Sequence, residues 1–298
     1  MNSLRDYHYL IAVSETLNFG KAAELCHVSQ PTLSGQLKKL EQTIGFAIFE
    51  RTNRQVTITT KGRIMLEAAR EVVAAQKSFK QKANELLEPY RGEIHLGLIP
   101  TLAPYLLPLI MPVLNAQLNK MSFYLYEKQT EELLFELNQG KLDGLILPWL
   151  PEMQGYHRYD LFDERLMLAL PSHHPLVSKA NISLDDLNGQ DVLTLQDGHC
   201  LREQTQDYCF SAGAKEDKHF SATSIETLRY MIGTGVGLTL IPELAVKNRD
   251  DKNIIYRRFN GIEPHRKIVL LTRKTAAASL NLLKIATIIK GINFGETI

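Results

Sequence analysis

Cysteine is scarce, with three in 298 residues. That is too few for the disulfide framework of a small secreted protein, so a reducing compartment, the cytoplasm, is expected. Long apolar runs are missing too. The richest stretch, Leu106 to Leu114, is interrupted by Pro108 and Pro112 and falls well short of the ~18 residues that cross a bilayer. No membrane partner is expected. The opening Met1-Asn2-Ser3-Leu4-Arg5-Asp6 lacks the charged-then-apolar design of a signal peptide. Glycine (18) and proline (12) are neither abundant nor clustered, which excludes collagen-like and low-complexity chains. What remains is a chain 44% hydrophobic and 22% charged, long enough for about two domains with real cores.

Net charge is only +1, but it is unevenly spread. Residues 1–90 carry a net +3, and residues 29–63 hold six basic side chains (Lys38, Lys39, Arg51, Arg54, Lys61, Arg63) against Glu41 and Glu50. A basic patch confined to one end suits an anionic partner there.

Residues 1–45 carry helical periodicity. Leu4, Leu10, Ile11 and Ser14/Leu17 fall on one stripe, and Ala22, Ala23 and Cys26 mark a short second helix. Ser29 can cap a third helix whose first turn tolerates Pro31. Leu33, Leu37, Leu40 and Ile44 then repeat at helical spacing up to Gly45. Helix, short helix, tight turn and helix make a helix-turn-helix. With Leu33 inward, Pro31, Ser34, Gly35, Lys38 and Lys39 face out. Small, polar and basic groups are what a helix needs to enter a major groove.

Phe46 to Ile58 fits a two-stranded wing, with Arg51-Thr52-Asn53-Arg54 at its turn. Thr59 or Thr60 can cap a helix running to about Leu87, striped by Ile64, Ala68, Val72, Ala75, Phe79, Ala83 and Leu86. Such a helix is about 40 Å long. Its stripe asks for a partner helix, so dimerisation is favoured over packing on the chain's own body. Pro89-Tyr90-Arg91-Gly92 marks a boundary. Beyond it, strands at 93–99, 123–127 and 144–147 alternate with helices at 104–119 and 131–139, which predicts an α/β domain with a largely parallel sheet. Further strands are expected at 166–170, 191–195, 237–241 and 268–272, and further helices at 224–232 and 279–290.

Residues 1–60 closely resemble the LysR-type transcriptional regulators. The matching text is Phe19-Gly20-Lys21-Ala22-Ala23-Glu24-Leu25, Val28-Ser29-Gln30-Pro31-Thr32-Leu33-Ser34, Leu40-Glu41 and Phe49-Glu50-Arg51. The resemblance implies an α+β chain in three parts. These are a winged helix-turn-helix (1–59), a linker and dimerisation helix (60–89), and a two-lobed α/β regulatory domain like a periplasmic binding protein (92–298). Gln30, Pro31, Thr32, Ser34, Lys38, Arg51 and Arg54 are then the expected DNA contacts. The implied partners are promoter DNA with paired half-sites, a second copy of the chain as dimer or tetramer, and RNA polymerase.

The three cysteines differ. Cys26 lies beside Ala22 and Ala23 on an apolar face and is expected to be buried and inert. Asp197 can cap a helix from about Gly198 to Ala212, stopped by Gly213, which puts Cys200 in its first turn. A helix N-terminus, with His199 and Arg202 alongside, favours the thiolate that attacks peroxides. Cys200-x8-Cys209 matches no zinc spacing and no Cys-x-x-Cys enzyme. By spacing alone, a structural role for both cysteines stays open.

A second resemblance is to the hydrogen-peroxide-sensing members of the same family. It rests on Asp197-Gly198-His199-Cys200-Leu201-Arg202-Glu203-Gln204 with Cys209-Phe210-Ser211-Ala212-Gly213-Ala214. Gly97-Leu98-Ile99-Pro100-Thr101, the run from His219 to Arg229, and Pro264-His265-Arg266 add to it. Glu203 stands where those sensors usually have Asp, which keeps the charge. The resemblance implies peroxide sensing through Cys200 and Cys209, and a pocket of Thr101, Thr130, His199 and Arg266.

Two rivals remain: a LysR-type regulator that binds a small metabolite, with incidental cysteines, and a thiol peroxidase. Other motifs weaken. Gly233-x-Gly235-x-Gly237 follows a helix and precedes a strand, the reverse of a dinucleotide loop. His173-His174-Pro175 fits a surface turn, Asp185-Asp186 a helix start, and Trp149 a packed loop anchor. No Ser-His-Asp or metal-ligand pattern is present, so no enzyme, metal or cofactor is expected.

Overall fold

Side-chain caps set the first three helices. In the computed structural model, which describes residues 3–51, 55–246, 251–276 and 279–294, Ser3 donates its backbone N–H to the Asp6 carboxylate at the start of α1 (Leu4–Thr16). Asn18 Oδ1 accepts from the Gly20 and Lys21 amides to open α2 (Phe19–Leu25). Ser29 Oγ accepts from the Thr32 amide to open α3 (Gln30–Ile44), with Pro31 in its first turn and Gly45 in the left-handed region after its end. Such caps occupy amides that have no partner within the helix.

The stripe expected on α1 is displaced. Leu4 and Leu17 are exposed, whereas Tyr9, Leu10, Ala12 and Val13 face the core. Leu17 has left the helix, in the left-handed region, so helical spacing no longer describes where it points. Val13, Ala22, Ala23, Leu33, Leu37 and Leu40 form one cluster with Ile48 and Leu66. Cys26, expected inside, caps the end of α2 and is half-buried.

The wing is β1 (Phe49–Arg51) paired antiparallel with β2 (Val56–Ile58). Thr59 Oγ1 accepts from the Gly62 amide and starts α4 (Thr60–Leu87). Gly62 passes so close to the Ile48 carbonyl that a Cβ there would overlap it. All seven residues of the α4 stripe, Ile64 to Leu86, are exposed; Phe79 keeps 75% of its surface.

The chain divides into two units, 1–87 with 138–141, and 88–137 with 142–298. The second unit follows the order β3 (Gly92–Leu98), α5 (Ala103–Gln117), β4 (Met121–Glu127), α6 (Thr130–Asn138), β5 (Gly144–Pro148) and β6 (His157–Pro171). Then come β7 (Asp191–Leu195), α7 (Cys200–Ser211), β8 (Lys215–Ala222), α8 (Ile225–Gly233), β9 (Thr239–Pro242) and α9 (Glu243–Val246). The unit closes with β10 (Ile254–Arg257), β11 (His265–Thr272) and α10 (Leu280–Lys290).

The largely parallel sheet expected from the alternation is corrected to a mixed one. Strand order is β10-β6-β11-β5-β3-β4, with β9 also on β6. Among the described strands, β3 with β4, β3 with β5, and the separate β7–β8 pair run parallel, and single parallel bridges join Val192 to Leu238 and Ile182 to Phe259. Parallel pairing needs a helical crossover, and α5, α6 and α7 supply these. β9, β10 and β11 instead return antiparallel along β6, a strand of 15 residues.

Two apolar clusters lie along β6. Leu161 joins the first, with Leu98, Leu106, Leu133, Ile146 and Leu270. Leu166, Leu168 and Leu170 join the second, with Leu193, Leu228 and Leu240. These are the two lobes. The glycines at 233, 235 and 237 form the turn from α8 to β9, the last two at positive φ. His174 accepts the Leu176 amide in a short turn, Asp186 accepts the Ser183 amide, and the Trp149 ring lies under Arg158 at 4.4 Å.

Candidate functional site

Cys200 opens α7 and is 4% exposed. It packs with the first-lobe cluster, while Leu201, the next residue, packs with the second. Thr130 opens α6, and Thr101 stands just ahead of α5. The amide-rich ends of helices carry partial positive charge, which favours an anion at their N-termini. Gly198, at φ 89°, lets the chain enter α7 in contact with the Gln129 side chain; a Cβ there would lie 2.6 Å from Gln129 Oε1. That contact sets α7 beside the start of α6.

Arg266, on β11, is fully buried. Its Nη1 donates to Thr101 Oγ1 at 3.1 Å and its Nη2 to the Thr101 carbonyl at 2.9 Å. Its Nε donates to Glu164 Oε2 at 2.8 Å. The Thr130 hydroxyl is buried without an aligned partner among the nitrogens and oxygens described. It stands against the Cys200 sulfur, whose charged form it favours. Burial nevertheless pushes the Cys200 thiol above its ordinary range. Arg266, Thr130 and the Leu201 amide pull it down, and Glu203 adds to the rise. Desolvation wins, so the resting group is a thiol held beside a cation and a hydroxyl.

Three expectations at this site need correction. Asp197 does not cap α7: it is almost fully exposed and pairs with Arg202, while His199 takes the cap position without a side-chain bond. His199 is buried, and desolvation lowers its pKa, so it adds no positive charge beside the sulfur. Arg202 does not serve the sulfur either. Its guanidinium is taken by Thr194 Oγ1 (2.7 Å), the Leu195 carbonyl (2.9 Å), Asp197 (3.0 Å) and Glu216 (2.8 Å). The cation that acts on Cys200 is Arg266, 66 positions away in sequence.

Cys209 sits in the last turn of the same helix, wholly buried in the second-lobe cluster. Burial alone pushes its thiol up to about 12. Both cysteines are free thiols. Nine helical steps separate their Cα atoms by about 13 Å and put the side chains on opposite faces. Glu164 was not singled out from the sequence. It lies within the charged run Asp163-Glu164-Arg165, and nothing there distinguishes it from a solvated acid.

In the first unit, Gln30, Pro31, Thr32 and Lys38 are exposed along the start and outer face of α3, and Ser34 is half-buried. Ser34 Oγ accepts from Arg51 Nη1 at 2.9 Å, and Arg51 also reaches Glu41 at 3.3 Å and covers the Phe19 ring at 4.2 Å. Glu41 in turn accepts the Ile48 and Phe49 amides. Arg51 therefore ties the wing to α3, a task its sequence position did not announce. Arg54 lies outside the described residues.

Comparison with known proteins covers most of the chain. Residues 4–63 match the family described as bacterial regulatory helix-turn-helix protein, lysR family, and residues 88–290 match the LysR substrate binding domain. A hydrogen peroxide-inducible genes activator of Haemophilus influenzae is 45% identical over 91% of this chain and 90% of its own. The DNA-binding transcriptional dual regulator OxyR of Escherichia coli is 45% identical, with 91% and 89% covered. Among solved structures, a full-length OxyR variant from Pseudomonas aeruginosa superposes with a TM-score of 0.79 at 30% identity, covering 98% of this chain and 95% of that one. With a winged helix-turn-helix in its first unit and two lobes in its second, this chain belongs to the LysR family of bacterial transcriptional regulators.

Proposed function

We propose that the protein is a peroxide-responsive transcription regulator that controls oxidative-stress genes through a switch at Cys200 and Cys209. The observation that carries this reading is the surrounding of Cys200: a buried sulfur at a helix start, faced by the Thr130 hydroxyl and the Arg266 guanidinium. Once deprotonated, the Cys200 sulfur attacks one oxygen of hydrogen peroxide and breaks the O–O bond. The sulfur loses two electrons and becomes a sulfenic acid, and hydroxide departs. Thr101 and Thr130 hold the peroxide, and Arg266 stabilises the departing hydroxide. Cys209, whose own proton is tightly held, attacks second, giving a disulfide and water. No cofactor is needed. His199 lines the pocket as a neutral group.

A disulfide requires Cα atoms about 4.4–6.8 Å apart, a separation that intact α7 does not provide. Oxidation therefore unwinds residues 201–208 and moves surfaces of the second lobe, which reorients the DNA-binding units. Residues 1–59 bind promoter DNA through Gln30, Pro31, Thr32, Ser34, Lys38 and Arg54, with Arg51 bracing the wing. Residues 60–89 dimerise, residues 92–298 sense, and the assembly, dimer or tetramer, works with RNA polymerase in the cytoplasm. No helix among the described residues is long and apolar enough to cross a membrane. Peptide mapping before and after stoichiometric hydrogen peroxide tests the switch. A Cys200–Cys209 disulfide is expected; oxidation confined to Cys26 or to methionine refutes it.

A further inference from the structure

Tyr208 lies one residue before Cys209, in the last turn of α7, with its ring packed against the second-lobe cluster. Its hydroxyl reaches the first residue of β11. It donates to the His265 carbonyl at 3.2 Å and accepts the His265 amide at 3.4 Å. In an extended strand one residue's N–H and C=O point to the same side, where a neighbouring strand would take both. β5 takes up its pairing with β11 from Ile268, so at His265 the tyrosine hydroxyl stands in for a strand. The next residue, Arg266, is the one that holds Thr101. Tyr208 thus fastens the Cys209 end of α7 to the strand that carries Arg266.

The other end of α7 is fastened more firmly, because Arg202 binds Thr194, the Leu195 carbonyl, Asp197 and Glu216. Cys209 also has two reasons to leave its place before it can react. Intact α7 keeps it far from Cys200, and burial pushes its thiol up to about 12, whereas the thiolate is the nucleophile. Opening the last turn meets both needs: it frees Cys209 to approach Cys200 and returns its thiol to water, where the proton leaves near its ordinary value. Consecutive Cα atoms are 3.8 Å apart, so a shift of several ångströms in Cys209 carries Tyr208 with it and breaks the contact with His265.

We propose that Tyr208 is a positioning residue that gates the second step of the switch: α7 opens from its last turn, and the tie from Tyr208 to His265 is what that opening breaks. This inference rests on the sensing function proposed above and adds the order of events. Cys200 is oxidised first, within the intact helix. The Cys209 sulfur then displaces hydroxide from the Cys200 sulfenic acid. The S–S bond forms as the S–O bond breaks, and the Cys209 proton leaves with the hydroxide as water. The tie sets how long the sulfenic acid waits for its partner.

Quenched-flow oxidation of the full-length reduced protein separates the two steps, with dimedone counting the sulfenic acid and peptide mass spectrometry counting the disulfide. Tyr208→Phe keeps the ring and removes the tie. Thiol loss to peroxide is expected at the parent rate. Disulfide closure is expected about threefold faster, the effect of a hydrogen bond near the low end of its usual range, since water reaches this one. Arg202→Ala, at the other end of α7, should close near the parent rate. A merely structural role for Tyr208 would not single out the second step. Closure in Tyr208→Phe that is unchanged or slower, or that Arg202→Ala matches or exceeds, overturns the proposal. Should a variant misfold, amide exchange in the reduced parent decides: the amides of residues 209–211 should exchange faster than those of 204–206, and the reverse order overturns it. A parent protein whose Cys200 ignores peroxide defeats the sensing function instead. The tie is then read with diamide, a small azo oxidant that joins two thiols and is itself reduced to a hydrazine, and the same order of closure rates is required.

Discussion

Arg202 offers a direct test of the link between α7 and the redox balance. Its side chain ties the first turn of α7 to β7 through Thr194 Oγ1 and the Leu195 carbonyl, and to β8 through Glu216. The proposed disulfide cannot form while α7 is intact, so these contacts belong to the reduced state. Hydrogen bonds to a charged group contribute about 1.5–3 kcal/mol each when well buried. Here they border an open cleft of about 490 Å³ lined by Thr194, Asp197, Glu216 and Phe220, where water replaces part of what is lost. The pair with exposed Asp197 adds little. Replacing Arg202 by Ala should thus destabilise the reduced state by about 1–2 kcal/mol in total. For a two-electron couple about 1.4 kcal/mol corresponds to about 30 mV. Destabilising the reduced form lowers the potential, so a fall of roughly 20–45 mV is expected in Arg202→Ala. Equilibration of the full-length protein in graded mixtures of glutathione and its disulfide, followed by thiol trapping, measures it. A potential that is unchanged, or that rises, would show that Arg202 does not hold the reduced helix.

Replacing Lys38 by Ala should weaken binding to all DNA sequences and lower the slope of log affinity against log salt by about one, because one phosphate contact is lost; a filter-binding salt series checks this. Phe79→Glu places a charge in the exposed stripe of α4 and should shift the protein toward monomer in sedimentation equilibrium, with a weaker grip on paired half-sites. Gly62→Ala puts a methyl group against the Ile48 carbonyl and should cost about 1–3 kcal/mol, read as a lower Tm and as weaker DNA binding through a displaced wing.

Local chemistry carried a large part of this protein into plain view. The caps at Asn18, Ser29 and Thr59, the turn glycine at 45, and the Leu33-Leu37-Leu40 spacing act over three or four residues. Their consequences are therefore written in adjacent text, and the helix-turn-helix, wing and long helix follow. The α7 helix and the place of Cys200 in its first turn were also expected, although the Asp197 cap on which that expectation rested is not made. Where polar residues dominate a strand, the text gives little sign of it. The first half of β6 and the charged β8 went unpredicted, as did the short, mostly apolar β10, because their stability comes from neighbours far along the chain.

Thr101, Thr130, His199 and Arg266 were named by family resemblance, not by any local pattern. Folding brings Thr101 and Thr130, at the starts of α5 and α6, to Cys200 and Arg266. The electrostatics of the thiol was decided by the tertiary structure alone. Neighbours in sequence, His199 and Arg202, looked like its activators. Folding buried the first as a neutral group and spent the second on β7 and β8. It then supplied Arg266 from β11, whose Nε is held by Glu164 of β6. A charge acts through distance and the water around it, and sequence order fixes neither.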